Sequence, residues 1–586
     1  VTPVPRSPYL ALPDSDRTPR HGAVVAGPAS PSESVTVTVY LRRPPGAPPA
    51  PSLLAYAAIP PTLRPAPDDA ALAGALHADP ADAALVARFA AEHGLRVGAV
   101  NPAARSVRLT GTAAQLAEAF QVTLARYRYQ DRDGRRRSYR GREGAVHLPA
   151  ELAGVVTAVL GLDNRPLGGT RLARRTARIP LARLAADDTG LPAGTFLPNA
   201  LAAPYAYPSG LDGTGQTVAV LAFNGQTQPG VPSGGYRLDA LHTYFTEVLH
   251  APVPQITDVL VHGPGNDPGR DDGQGDPNDS TAEIMLDLQV VGALAPGARI
   301  VVYFTEFTEQ GWVDAINAIV TDTANRPDIV SCSYGNPEDD PGSAWTRMAI
   351  TSVDQAFAQA GLHNISICCA SGDDGSRDQA GDALAHADFP ASSPHVLGVG
   401  GTRLVVDGAT VVSETVWDDG PGSATGGGVS RWFPVPPWQS GTPVPPSANP
   451  PHQRGRGVPD VAALADPQTG VMIISVDGEH LVQIGGTSAA APQWSALLAR
   501  INQGLGAPVG FLNPLLYAHF GTGVLRDITR GGNGAYAAGP GWDACSGFGS
   551  PGGQALLDGL RKLGTTAAQA RIPGPATGTE PSGAVI

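Results

Sequence analysis

Lys562 is the only lysine among 40 basic residues, and cysteine occurs just four times in 586 residues. So few cysteines exclude a disulfide-rich scaffold. The lysine deficit accompanies a general Arg, Ala, Gly and Pro bias and carries no chemistry of its own. No window approaches the roughly 20 uninterrupted apolar residues of a membrane-spanning helix. Charged residues are 16% of the chain and the formal charge is -13, which argues against a polyelectrolyte and against nucleic-acid binding by the whole chain. No initiator Met and no signal peptide is in view, so a trimmed chain is expected. Gly (72) and Pro (57) are frequent enough to mean many loops, against a coiled coil or helical solenoid. Length allows three or more domains, and 42% hydrophobic residues allow a large core.

Charge is divided unevenly. Residues 1–200 hold 24 basic and 16 acidic residues, a net of +8, and the remainder nets -21. Such halves attract at neutral pH. Two domains with unrelated surfaces would give the same arithmetic. Residues 1–30, rich in Pro, Ser and Arg, read as flexible. Val35, Val37, Val39 and Leu41 alternate with Thr and Tyr and predict a half-buried strand. Helices are predicted near 81–93, 113–120 and 149–160, with strands at 106–109 and 122–129. Together these predict a compact α+β domain over 31–165. Arg171, Arg174, Arg175, Arg178 and Arg183 among Gly, Thr and Pro predict an exposed linker over 166–195. From Gly215 the runs QTVAVLAF, ARIVVYF, PDIVSCSYG, NISICCASG and HVLGVGGT alternate with helical stretches. Nearly continuous apolar strands of this kind suit a parallel sheet covered by helices on both faces. Residues 563–586 read as a loose tail.

In GGTSAAAPQWSALLARINQ, Ser488 stands at the mouth of a helix after a Gly-Gly turn. Its hydroxyl is exposed to attack chemistry, and the helix start offers free N–H groups to a developing negative charge. Thr487 and Ser488 also fit an ordinary helix cap. A serine nucleophile needs a base. Thirteen histidines are present, none in an obvious catalytic context; His262 sits in a Gly/Pro loop. Acids are the better candidates. Glu283 and Asp287, at i and i+4 of a helix, share one face. Ser280 and Glu283 also have capping-box spacing, which leaves Asp287 unexplained between two leucines. A third acid, Asp373 or Asp374, lies in ASGDDG directly after a strand, where sites gather in open parallel sheets, although such loops are usually turns.

The stretches EIMLD with VGALAPGA, ASGDDG, FPASSPHVLGVGGT, TGGGVSRWF, VPDVAALADPQTG and GGTSAAAP resemble the sedolisin family, the serine-carboxyl peptidases, in its kumamolisin-like branch. They run in the family's order over about 196–562, and the N-terminal domain resembles the family's activation propeptide. The resemblance implies a subtilisin-like α/β fold preceded by a ferredoxin-like prodomain. It implies that Ser488 is the nucleophile, Glu283 the general base, Asp287 the acid orienting that base, and Asp373 the oxyanion-stabilising acid, with Asp374 on a variable position. A carboxylate base still accepts protons where imidazole is already charged, and an Asp donates a hydrogen bond only when protonated. Both point to work in acid. A subtilisin proper is disfavoured, since AVLAFNG lacks that family's strand Asp and no His-Gly-Thr follows. Members of this branch extend the proton network with a Glu where this chain has Ala222.

The resemblance also implies one structural Ca²⁺. Its ligands would be the side chains of Asp527 and Asp543 and the carbonyls of Ile528, Gly539 and Gly541; without it, two Asp-initiated turns would be the plainer account. The Asp-rich loop 267–279 reads as solvated. Cys332, Cys368, Cys369 and Cys545 are expected as buried free thiols. The expectation is therefore a secreted, monomeric proenzyme of an acid-acting endopeptidase with peptidase domain 196–562, acting on protein or peptide substrates and inhibited by its own propeptide, with no nucleic-acid or membrane partner. A tripeptidyl-peptidase or a catalytically silent subtilisin-like binding protein are the alternatives.

Overall fold

The computed structural model describes residues 8–571 except 131–135, 185–189, 225–232, 270–279, 340–344 and 522. The N-terminal domain is built on β1 (Ser34–Leu41), α1 (Pro80–Glu92), β2 (Arg96–Asn101), β3 (Ser106–Thr112), α2 (Ala113–Ala119) and β4 (Val156–Leu160). Local chemistry starts each helix. Asp79 accepts from the amide of Ala81 with Pro80 in the first turn, and Thr112 and Gln115 form a reciprocal capping box. The four strands make an antiparallel sheet in the order β2-β3-β1-β4, with α1 and α2 as crossovers, the ferredoxin-like arrangement. Val37, Val39, Val107 and Leu109 are buried with Phe89 and Leu116 from the two helices.

The second, larger domain is a largely parallel sheet. Its strands are β5 (Thr217–Asn224), β6 (Ile256–Leu260), β7 (Arg299–Glu306), β8 (Ile329–Cys332), β9 (Ser366–Ala370), β10 (Leu397–Asp407) and β11 (Thr410–Val416), ordered β6-β7-β5-β8-β9-β10-β11. Only β10 and β11 pair antiparallel along that path, and Val461–Leu464 adds a parallel partner to β10. Every residue of β5 is buried, as helices on both faces require. Those helices are α3 (Ser280–Leu294), α4 (Glu309–Val320), α5 (Arg347–Leu362) and α6 (Thr487–Leu505). The five apolar runs read from the sequence all become strands here.

One apolar cluster joins the two domains. It runs from Val39 and Val159 of the N-terminal sheet to Trp312 and Ile316 on α4 and Phe357 on α5. Buried polar contacts lie within that contact area. Asp314 of α4 accepts hydrogen bonds from the hydroxyl of Tyr40 and from Thr38 Oγ1 (2.9 Å), and pairs with Arg108 (3.3 Å) and His262 (2.6 Å). Arg17, bonded to Asp163, also reaches Glu309 at 2.6 Å.

Four local expectations are corrected. Residues 149–160 are not a helix: Gly154 takes φ +74°, and the β-branched run that follows becomes β4 against β1. The stretch 1–30 is not flexible where described, because Tyr9–Ala11 and Val24–Pro28 pair with His147–Pro149 and Ala125–Gln130. The expected tail begins inside a helix, Gly553–Arg571, whose Leu556, Leu557 and Leu560 are buried; residues 572–586 lie outside the described ones. The linker is not exposed throughout, since Arg171 is fully buried. Residues 270–279 of the Asp-rich loop also lie outside the described residues.

Candidate active site

Glu283 and Asp287 project from one face of α3, a helix buried along its whole length, and neither is exposed to solvent. Ser488 is the second residue of α6. The turn before it needs glycine, because Gly486 has φ +93° and a Cβ there would lie 2.3 Å from the carbonyl of Arg171. The three sequence candidates come together. Ser488 Oγ donates to Glu283 Oε2 at 2.9 Å. Asp287 Oδ1 accepts from the hydroxyl of Ser333 at 2.7 Å, and that hydroxyl also lies 3.3 Å from the carbonyl of Ser488. Burial raises the Asp287 pKa well above the carboxylate range, with the Ser333 bond acting the other way. Asp287 is therefore neutral in acid and has a proton to offer.

Asp373 follows β9, at the carboxyl end of the sheet. Its Oδ1 accepts from the amide and the hydroxyl of Thr487, each at 2.7 Å. Burial pushes its pKa up to about 7, against those two bonds and the nearby Arg171 charge. Its Oδ2 reaches the same point above Gly486 as the Arg171 carbonyl: a Cβ on Gly486 would sit 2.4 Å from that oxygen. The neighbouring Asp374 is partly exposed. Ala222 is buried within β5, and its methyl extends no proton network.

Sequence reasoning missed Ser333, although its position directly after β8 was a signal. It also missed what fills the cleft. The linker runs extended through it, Gly169–Thr170 pairing antiparallel with Tyr334–Pro337 and Ala173–Pro180 with His480–Gly485. Between them, Arg171 donates its amide to the Ser333 carbonyl at 3.1 Å, and its own carbonyl accepts from the Ser488 amide at 2.8 Å. The Arg171 guanidinium is bonded to Asp388 and lies 3.4 Å from Asp378, both fully buried.

Asp527 and Asp543 meet across one Gly-rich loop. Gly541 donates its amide to Asp527 at 2.9 Å and Gly539 to Asp543 at 3.2 Å. Asp543 is nearly buried, its pKa raised by desolvation, and neither acid has an ion pair among the described residues. Asp543 also accepts from the amides of Cys545 and Ser546, each at 2.9 Å, and two carboxylates on one loop are the donor type a hard cation takes. All four cysteines are free and buried.

Comparison with known proteins bears on this arrangement. Residues 21–165 match the family model of the pro-kumamolisin activation domain, and residues 273–511 match that of the subtilase family. Kumamolisin from Bacillus sp. (strain MN-32) is 43% identical over 547 residues, covering 92% of this chain and 94% of that protein. Tripeptidyl-peptidase sed5 from Aspergillus fumigatus is 28% identical over 578 residues, 91% of this chain and 94% of its own. The structure of Pseudomonas sedolisin, a serine-carboxyl proteinase complexed with two molecules of pseudo-iodotyrostatin, superposes with a TM-score of 0.54 at 26% identity. It covers 63% of this chain and 99% of that one.

Proposed function

The chain belongs to the sedolisin family of serine-carboxyl peptidases and carries an activation propeptide, and from that premise we propose how its residues divide the reaction. Ser488 Oγ attacks the substrate carbonyl and passes its proton to Glu283. The observation that carries this reading is the 2.9 Å bond from Ser488 to Glu283, both buried. Asp287, one helical turn on, positions Glu283 and supports its change of charge. The oxygen that becomes negative is received by the Ser488 amide and by Asp373, which donates only when protonated. Glu283 returns its proton to the leaving amine. Water then attacks the acyl-enzyme, giving a proton to Glu283, and Ser488 is regenerated when that proton returns to Oγ.

An internal cut is favoured over removal of tripeptides. The linker passes the nucleophile as continuous chain on both sides, and on the N-terminal side it runs past Gly169 to Leu167, which bonds to Phe307. A cleft closed after three residues would not admit it. The same occupancy supports an inhibitory role for the propeptide. One Ca²⁺ held by Asp527, Asp543 and the carbonyls of Ile528, Gly539 and Gly541 would neutralise two acids and pin their loop, and secretion accords with an acid-acting propeptidase. No helix among the described residues is long and apolar enough to cross a membrane. Digestion of an unstructured protein across pH 2–7, with product sequencing, tests the reading. Internal fragments are expected from the active chain and none from Ser488→Ala; tripeptides alone would turn the assignment to an exopeptidase.

A further inference from the structure

A cavity of about 480 Å³ lies where the prodomain meets α5, and none of the catalytic residues lines it. Arg42, Arg43 and Arg105 of the prodomain meet on its wall, and no carboxylate does. Arg42 is neutralised by Asp82 at 2.9 Å. Arg43 and Arg105 have no carboxylate partner among the described residues. Arg43 donates to the carbonyls of Ala75 and Pro48, each at 2.7 Å. Arg105 donates to those of Leu41 at 3.3 Å and Leu76 at 3.2 Å, and reaches the side-chain oxygen of Gln355 on α5 at 3.4 Å. These neutral acceptors place the two guanidiniums without cancelling their charge. Burial and the Arg43 charge both lower the Arg105 pKa, so the two cations repel. Arg105 also takes φ +50°, a strained backbone for a residue with a side chain. Capping loop carbonyls would account for one such arginine, but not for two like charges gathered on one cavity. The remaining lining is mainly aliphatic, with Leu53 and Leu76 of the prodomain and Leu362 of α5. A cavity of this volume takes a small organic molecule.

We propose that this cavity binds a small organic anion, a carboxylate or phosphate head on an aliphatic body, with Arg43 and Arg105 holding the head and the three leucines packing the body. A guanidinium fork takes either head in paired hydrogen bonds. The anion cancels the repulsion between the two arginines, and the leucines gain apolar contact. Because the walls come from both domains, the anion binds the proenzyme and not the peptidase alone. By mass action it then strengthens the hold on the propeptide. The site is independent of the reaction assigned to Ser488.

Titration calorimetry at pH 6 on the full chain carrying Ser488→Ala tests the proposal. Octanoate and octyl phosphate are the probes, octanol and inorganic phosphate the controls. At least one probe should bind with a Kd below about 1 mM. Tighter binding of octanoate assigns the head as a carboxylate, and tighter binding of octyl phosphate assigns it as a phosphate. Arg43→Ala and Arg105→Gln should each weaken the bound probe at least about tenfold, the loss of a charged hydrogen-bonding group. Arg43 is exposed, so its variant removes the charge without disturbing the core. The wild-type peptidase freed of its propeptide should not bind. Failure of both probes, octanol or inorganic phosphate binding as tightly as they do, equal affinity for the freed peptidase, or unchanged affinity in Arg43→Ala would overturn the site.

Discussion

Asp314→Asn isolates the polar anchor between prodomain and peptidase. In the wild type this buried carboxylate gathers Tyr40, Thr38, Arg108 and His262, three of them from the prodomain. An amide of the same shape keeps one acceptor, turns a donor toward those donors and removes the charge that Arg108 faces. Hydrogen bonds to a charged group are worth about 1.5–3 kcal/mol against about 1 for neutral ones, so the net loss is about 2–3 kcal/mol. Opening of the prodomain should rise roughly 30- to 150-fold. Burial works against ionisation of Asp314, but the bonds from His262 and Tyr40 and the Arg108 charge pull its pKa below the ordinary 3.8. A carboxyl depressed in this way stabilises above its unperturbed pKa and stops doing so only as pH falls through the depressed one. The difference between wild type and variant should therefore persist in mild acid and be lost only as pH falls through that depressed value, below the ordinary 3.8. Amide exchange of Ser106–Thr112 and Glu309–Val320, in full-length protein carrying Ser488→Ala, reads the opening directly. Equal protection in both proteins at pH 6 would refute the anchor.

Ser488→Ala, Glu283→Gln and Asp287→Asn should each abolish proteolysis with the fold intact, and a double variant should be hardly worse than the worst single one, as kcat for each will show. Near-normal turnover by Glu283→Gln at its acid optimum would remove it as base. Asp373, pushed up to about 7, gains its proton as pH falls through that value, so activity should rise on acidification there; Asp373→Asn, a permanent donor, should flatten that limb of the pH–rate profile. Chelation at neutral pH should lower the melting temperature, and Asp543→Ala should abolish that sensitivity; a chelator without effect on the wild type would exclude the metal.

Chemistry at the site was legible where it depends on local pattern. The Gly-Gly turn before Ser488, the i, i+4 acids on α3 and the acid after a strand each have a short-range cause. Fold class followed likewise from the buried runs that became β5, β7, β8 and β9. What stayed hidden depends on distant partners. The helix expected at 113–120 formed as α2, but in the stretch expected as a helix at 149–160 residues 156–160 became a strand because β1 offered an edge to pair with. An Arg-rich linker reads as solvated until Asp378 and Asp388, more than 200 residues on, are folded against Arg171. Ser333 gave no signal beyond its place at a strand end.

These long-range pairings also locate the response to acid. The charge split suggests that protonating acids would loosen the prodomain where the domains meet. Yet the buried acids there, Asp314 and Asp163, have pKa values depressed by their cationic and hydroxyl partners, so mild acid leaves them charged. The cleft behaves oppositely. Burial raises Asp373 to about 7 and Asp388 to about 6, even with Arg171 alongside, and raises Asp378 as well. Falling pH therefore acts first on the linker's seat and on the oxyanion donor, while Asp314 and the apolar cluster around Trp312 keep the prodomain docked. The order that results is cleavage before dissociation: Asp373 becomes able to donate while the linker is still threaded. A time course at pH 5 should show propeptide cut but bound before it is free. Separation preceding any cut would place the acid response at the domain contact instead.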